Sequence, residues 1–352
     1  MEVPTASRDS VPRQACIAAI YNTSPIIFLR TMSDLVIEQC LPSERSSQIA
    51  ALFDRAGRSE FPGVYERVYK PREALGLRSW VGSAGDRTVL HISVTPQQFS
   101  DGATSLTGGM LADLMADESH RDFWNPIKLV RRMVADVTQQ RAADFLFTTT
   151  VAAAKGVFRA AGFKPFASIG RYVLPLRWPY PLLRRLHHGY RRPALSAFAY
   201  DDARMPGILR RFHPAGFFRT VPDPDYYVTR MPRWSYPAGT WLAAGAQDGP
   251  DALVLVSPTS LTELTVADVL TRDDSVGLAG TLSSVARWGA RRGYRKMSLS
   301  TINGSRFATI AARAGFLARP EGYNLYVLSL KGGASVPPTS DWLFTPFVLS
   351  AW

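Results

Sequence analysis

The chain repeats itself, and the repeat limits the folds open to it. Ala112-Asp113-Leu114-Met115 is echoed by Ala267-Asp268-Val269-Leu270. A glycine follows each at a similar distance, 49 positions from Asp113 to Gly162 and 47 from Asp268 to Gly315. Ala160-Ala161-Gly162-Phe163 corresponds to Arg313-Ala314-Gly315-Phe316, and Tyr172 before Val-Leu corresponds to Tyr326 before Val-Leu. Two copies of one unit explain these matches better than chance does. They divide the chain into a first module over 34–177 and a second over 201–331. A basic connector at 178–200 joins them, with tails at 1–33 and 332–352.

Periodicity supplies the elements inside each copy. Leu111–Ala116 is a short strand around one acid, and it runs into the polar turn Asp117-Glu118-Ser119-His120-Arg121. Ile127, Val130, Met133, Val134 and Val137 fall on one face of a helix, with Lys128, Arg131, Arg132 and Gln139 on the other. Phe145-Leu146-Phe147 is a buried strand, and Ala152–Ala161 reads as helix until Gly162, which suits the left-handed position after a helix end. Upstream, Leu35–Cys40 alternates as a strand, Pro42-Ser43-Glu44 opens a helix through Phe53, and Trp80–Gly82 and Thr88–Val94 form an antiparallel pair. Residues 61–77 read as a loop with a short helix, and 97–109 as a polar connection. The second copy shows a helix at Leu278–Arg292 and a strand at Met297–Thr301. A strand leading to an outward-facing helix start is a place to hold an anion such as a pyrophosphate.

Composition narrows the chemistry. With 352 residues, 46% of them hydrophobic and 20% charged, the chain can bury two ordinary cores. Cys16 and Cys40 make neither a disulfide framework nor a metal site, which fits a reducing, cytoplasmic setting. The five histidines lack ligand spacing, so no metal is expected. No apolar run approaches the roughly 20 residues of a membrane span. The net charge of +12 comes from 35 Arg against 6 Lys, a pattern of codon bias or of an anionic ligand. No zinc pattern, recognition helix or aromatic-basic motif points to specific nucleic-acid binding. Leu182, Leu183, Leu186 and Tyr190 lie among arginines, so 182–192 reads as a docked connector, or as a contact with a membrane surface or anionic polymer.

The order and spacing from Leu111 to Phe166 resemble the GNAT superfamily of N-acyltransferases. The resemblance implies an α/β (α+β) fold of two GNAT-like modules, each a mixed, mostly antiparallel sheet flanked by helices. It implies acetyl-CoA or another acyl-CoA as co-substrate, bound where the fifth strand splays from the fourth. Leu114 and Met115 would offer strand backbone to pantetheine, and Arg121, Phe123, Trp124 and Asn125 would sit at the phosphates. Thr149 and Thr150 would line the arm, and Asn303 matches the family's Asn after the fifth strand. Asp113, Asp117, Glu118 and His120 are the acid-base candidates, although Asp113 and Asp268 recur at matched places, which equally fits a structural role. The loop departs from the family's Arg/Gln-x-x-Gly-x-Gly/Ala: it reads Arg121-Asp122-Phe123-Trp124-Asn125-Pro126, and Asp274 stands at the matching Arg/Gln position of the second copy. Phe158 and Ala311 fill the place of the frequent catalytic Tyr. The implied reaction acylates the amine of a small molecule or amino sugar, in a polysaccharide or cell-envelope setting. Two other readings stay open: a Fem-like aminoacyl or peptidyl transferase, and a binding protein whose two sites have lapsed.

Overall fold

A computed structural model describes residues 35–58, 63, 65–150, 152–177, 193–213, 215–225, 227, 239–246, 249–272, 276–330 and 335–345. The expected tail 1–33, Asp274 and the basic segment 182–192 lie outside these residues. Alternating and apolar runs form thirteen strands of one sheet: β1 (Val36–Cys40), β2 (Arg78–Ala84), β3 (Arg87–Ser100), β4 (Ser105–Ala116), β5 (Phe145–Thr150), β6 (Lys164–Pro175), β7 (Leu195–Ala199), β8 (Arg219–Thr220), β9 (Thr240–Ala246), β10 (Gly249–Pro258), β11 (Glu263–Thr271), β12 (Lys296–Ile302) and β13 (Leu317–Ser329). Their order is β1-β2-β3-β4-β5-β13-β6-β12-β11-β10-β9-β7, with β8 added beside β3. Among the described strands, only β4–β5 and β11–β12 pair in parallel.

Read from either edge, that order is the same series of repeat-related strands: β1 answers β7, β2 β9, β3 β10, β4 β11, β5 β12 and β13 β6. The halves meet by trading their last strands. β13 pairs with β5 through Ser329↔Phe145 to Asn324↔Thr150, while β6 pairs with β12 through Pro175↔Lys296 to Ile169↔Ile302. The two exchanged strands then pair with each other at the centre. Phe145, Leu146 and Phe147 are fully buried and so need neighbours across both edges of β5, and β13 supplies the second one. An ionic cluster fastens the other exchange: Glu263 of β11 meets Arg171 of β6 and Lys296 of β12, each at 2.6 Å, and accepts from Ser298. Burial alone would raise the Glu263 pKa, but Lys296, Ser298 and Arg171 together hold it below the usual range.

The helices cover the sheet where their apolar faces predict. In α2 (Trp124–Gln140), Ile127, Leu129, Val130, Met133 and Val137 are buried, and the helix stops at Arg141 in left-handed geometry, φ 51°. α1 (Ser46–Arg55) buries Ile49, Leu52 and Phe53. α3 (Lys155–Ala160), α4 (Met205–Arg211), α5 (Val276–Arg291) and α6 (Arg306–Arg313) complete the helical layers. Gly162 and Gly315, matched in the repeat, end α3 and α6 with φ of 97° and 95°, where a side chain would be strained.

Three segments differ from their sequence reading. The stretch 97–109 is no polar connection, because β3 runs to Ser100 and β4 begins at Ser105. Its apolar Phe99 and Leu106 are buried against Phe145 and Phe147. Leu195–Ala199, assigned to the connector, is edge strand β7 on β9. The described part of the C-terminal segment, 335–345, is core rather than tail: Trp342 is 0% exposed and packs with Phe99, Phe145, Phe166, Phe218 and Phe344. No helix among the described residues is long and apolar enough to cross a membrane.

Candidate active site

The site forms where β4 and β5 part. They pair at Gly108↔Phe145, Gly109↔Leu146 and Met110↔Phe147, and no further. Close approach at the pivot is possible because residues 108 and 109 are glycines; an added Cβ would stand 2.6 Å from Phe145 and 2.5 Å from Leu146. Beyond the pivot, Ala112, Asp113, Leu114, Met115 and Ala116 all stay partly exposed. This is the wedge expected around Leu114 and Met115. On its other wall Thr149 is half-buried, and the buried Thr150 Oγ1 has no hydrogen-bond partner. Such an atom is a natural donor or acceptor for an arm lying in the gap.

β4 also breaks away from β3 here. His91 pairs with Met115 and Ser93 with Ala112, so Asp113 and Leu114 together face Ile92. The extra residue is a β-bulge, and Asp113 takes φ 54°. A buried network holds it. Tyr69 Oη donates to Asp113 Oδ2 at 2.5 Å, and Arg58 lies 3.8 Å from Oδ1. His91 Nδ1 meets the Asp113 carbonyl at 3.0 Å, and since a carbonyl only accepts, the proton is on Nδ1. Nε2 then accepts from Ser79 Oγ at 3.0 Å. Burial pushes His91 below its usual pKa despite Asp113 and keeps it neutral, while burial and the Asp113 charge push the Tyr69 hydroxyl well up. Tyr69, His91, Ser79 and Arg58 were not legible as site residues. Only the place of His91 in the expected strand Thr88–Val94, and of Tyr69 in the loop 61–77, bore on them.

The other predicted acid-base residues sit past the end of β4, on a short turn, Glu118–His120. Asp117 is buried and bound by Arg55 at 2.7 Å and Arg87 at 2.5 Å. Burial would raise its pKa, but Arg55, Ser119 and Arg87 drive it far below the usual carboxylate range, so it is a fixed anion near neutral pH. Glu118 is exposed, and His120 is partly exposed with Nδ1 2.8 Å from Ser119 Oγ. Asn303 is engaged by the exchanged strand: Tyr172 Oη donates to its Oδ1 at 2.9 Å, and its Nδ2 donates to Ser168 Oγ at 2.6 Å.

The loop before α2 tests the fit of coenzyme A. Asp122 Oδ1 accepts from the backbone N–H of Trp124 and of Asn125, each at 2.8 Å, and its Oδ2 accepts from Asn125 Nδ2. Pro126 has no N–H. The amides that would cradle a pyrophosphate are therefore held by the chain's own carboxylate or missing. Arg121 folds back, with Nε donating to the Ala116 carbonyl at 3.0 Å. Trp124 (65% exposed) and Phe123 (50%) stand edge-to-face on the rim rather than in the wedge. The gap leaves β4 unpaired on its β5 side beyond Met110; the loop beside it, as it stands, does not fit the pyrophosphate.

The second half keeps the geometry and loses the opening. β11 and β12 part after Thr265↔Ser298, and β11 also outruns β10 by one residue just before Asp268. Tyr227 Oη again donates to the aspartate, at 2.5 Å, joined by Arg219 at 3.0 Å and Thr345 at 2.8 Å. Here Val266–Thr271 is wholly buried, under a cluster that includes Phe217, Phe307 and Leu343.

The sequence matches no family model and no curated protein. The fold, however, is shared with solved structures. A probable N-acyltransferase from Enterococcus faecalis is similar at a TM-score of 0.63 and 8% identity, covering 83% of this chain and 71% of its own. A GCN5-related N-acetyltransferase from Anabaena variabilis follows at 0.62 and 11%, covering 84% and 73%. Eis1 from Mycobacterium abscessus is similar at 0.56 and 10%, covering 83% and 73%. The chain thus has the GNAT-type fold, a mixed sheet flanked by helices.

Proposed function

We propose that the chain is an N-acyltransferase that takes its acyl group from a pantetheine thioester bound in the first half, with the second half as scaffold. The observation that carries this reading is the contrast between the wedges: β4 stays partly exposed along 112–116, whereas β11 is buried along 266–271. A strand edge without a partner offers N–H and C=O groups that pair with the amides of an extended arm, as a further strand would. The bulge leaves Asp113 and Leu114 unmatched by β3, so backbone N–H is available near the pivot to stabilise charge on a thioester oxygen. Asp113, oriented by Tyr69 and fixed from behind by His91, is the base that takes the proton from the acceptor's ammonium.

The acceptor is a small polar amine, an amino sugar among the candidates. A cavity of about 480 Å³ lies farther along β3, where Pro96 and Gln97 pair with Gly109 and Gly108. Arg210 and Asp223 also line it, a size and mix of charges suited to such a molecule. We place the reaction in the cytoplasm, in keeping with the free, buried Cys40. Calorimetric titration with acetyl-pantetheine and acetyl-CoA tests the reading. Saturable binding that Leu114→Trp abolishes supports it, and no binding of any pantetheine thioester ends it.

A further inference from the structure

We infer that the thioester reaches the first half on the phosphopantetheine arm of an acidic carrier protein, not on coenzyme A. This rests on the acyltransferase reading and refines its donor. Three observations carry it. The wedge between β4 and β5 leaves the β4 backbone unpaired beyond Met110, an edge along which an extended amide-bearing arm could lie. The loop beside it offers no pyrophosphate cradle, because Asp122 holds the Trp124 and Asn125 amides and Pro126 has none. A nucleotide donor would have to bring its pyrophosphate against that carboxylate.

The rim is built for a protein. Phe123 and Trp124 project from the start of α2, and the Phe123 ring edge lies 3.2 Å from where a Gly156 Cβ would stand, bridging α2 to α3. Around them α2 and α3 present Lys128, Arg131, Arg132, Lys155 and Arg159 against one acid, Asp136, whose carboxylate is taken by Trp80 and Arg132. Arg131 donates to the Ala160 carbonyl and Arg132 is paired with Asp136. That leaves Lys128, Lys155 and Arg159 as the outward cations beside the aromatic pair, with Asp122 already engaged by the helix amides. An exposed aromatic pair beside such cations is complementary to an acidic protein surface. The same cations would tolerate an RNA. An aminoacyl ester on a ribose has no amide-bearing arm to lie along β4, and so the wedge favours the carrier protein.

In the step itself, the acceptor nitrogen attacks the thioester carbonyl carbon. The C–N bond forms and the C–S bond breaks. Of the two protons the ammonium gives up, the first passes through Asp113 to solvent before the attack. The second, from the nitrogen of the tetrahedral intermediate, protonates the departing thiolate, leaving an amide and the carrier's free thiol.

The test uses the full chain and three probes: acetyl-CoA, free acetyl-phosphopantetheine, and a type II acyl carrier protein acetylated on its phosphopantetheine. The carrier is expected to bind about tenfold tighter than the free arm, with strong salt dependence. Acetyl-CoA should bind no tighter than the free arm. Arg159→Glu and Lys128→Glu should remove the carrier's advantage, and Asp122→Ala should strengthen acetyl-CoA alone. Acetyl-CoA binding tighter than the carrier, a carrier no tighter than the free arm, or transfer only from aminoacyl-tRNA would each overturn the inference. If instead none of the three thioesters binds, the acyltransferase reading fails with it.

Discussion

Tyr69 donates its hydroxyl proton to Asp113 across 2.5 Å, at the point where β4 carries one residue more than β3. Tyr227 and Asp268 repeat the contact in the other half at the same distance. The two pairs share a geometry and differ in access. Asp113 is partly exposed, with its side chain at 7%, and the Asp268 side chain is at 0%. One feature of the repeated unit is therefore enclosed in one half and partly exposed in the other, where the proposed reaction would use it.

Replacing the aspartates separates those roles. Asp113→Asn should lower turnover by about 10²–10⁴-fold with donor binding kept, as for loss of a general base. Asp268→Asn should leave Arg219 buried without its counter-charge and lower the melting temperature instead. Steady-state kinetics beside thermal unfolding distinguishes them; equal turnover losses would make both aspartates structural.

The strand exchange predicts that the halves are not independent. Expressed alone, 35–177 lacks the neighbour that β13 gives β5, and 193–345 lacks β6 beside β12. Each fragment should be insoluble by itself, and co-expression should recover a 1:1 complex on gel filtration. A stable, monomeric first fragment would contradict the topology.

His91 gives stability an acid limit. Its folded pKa lies below the unfolded value of about 6.5, so the unfolded chain takes up the proton first as pH falls. Stability from this group is complete above about pH 6.5 and declines as pH drops toward the folded pKa. Urea unfolding between pH 7.5 and 5 should show that slope, and His91→Gln should flatten it.

Trp342 is a core residue despite its place near the C-terminus. Trp342→Ala should cost about 3–5 kcal/mol, the range for emptying a large aromatic site. Chemical denaturation measures this, and a loss under about 1 kcal/mol would mean that the segment 335–345 is not anchored.

Much of the fold was legible because it is local or repeated. The faces of α1 and α2, the glycines ending α3 and α6, and the matched Asp113 and Asp268 are set by spacing along the chain. The wedge at Leu114 and Met115 followed from the resemblance. The extents of β3 and β4 were hidden because Ser, Thr and Gly around the buried Phe99 and Leu106 read as loop. The Tyr69–Asp113 and His91–Asp113 contacts span 44 and 22 positions and leave no periodic trace. Asp122 was passed over because an N-cap and a phosphate ligand's neighbour look alike until the hydrogen bonds are placed.

By itself the sequence determined that one unit occurs twice and which faces of each element are apolar, because burial pattern and turn chemistry are properties of neighbouring residues. Only the tertiary structure decided that the copies trade strands, that one wedge is sealed and the other open, and that a carboxylate caps the helix where a pyrophosphate would rest. Those outcomes depend on which distant segments reach a given edge or cavity first, and no local preference encodes that.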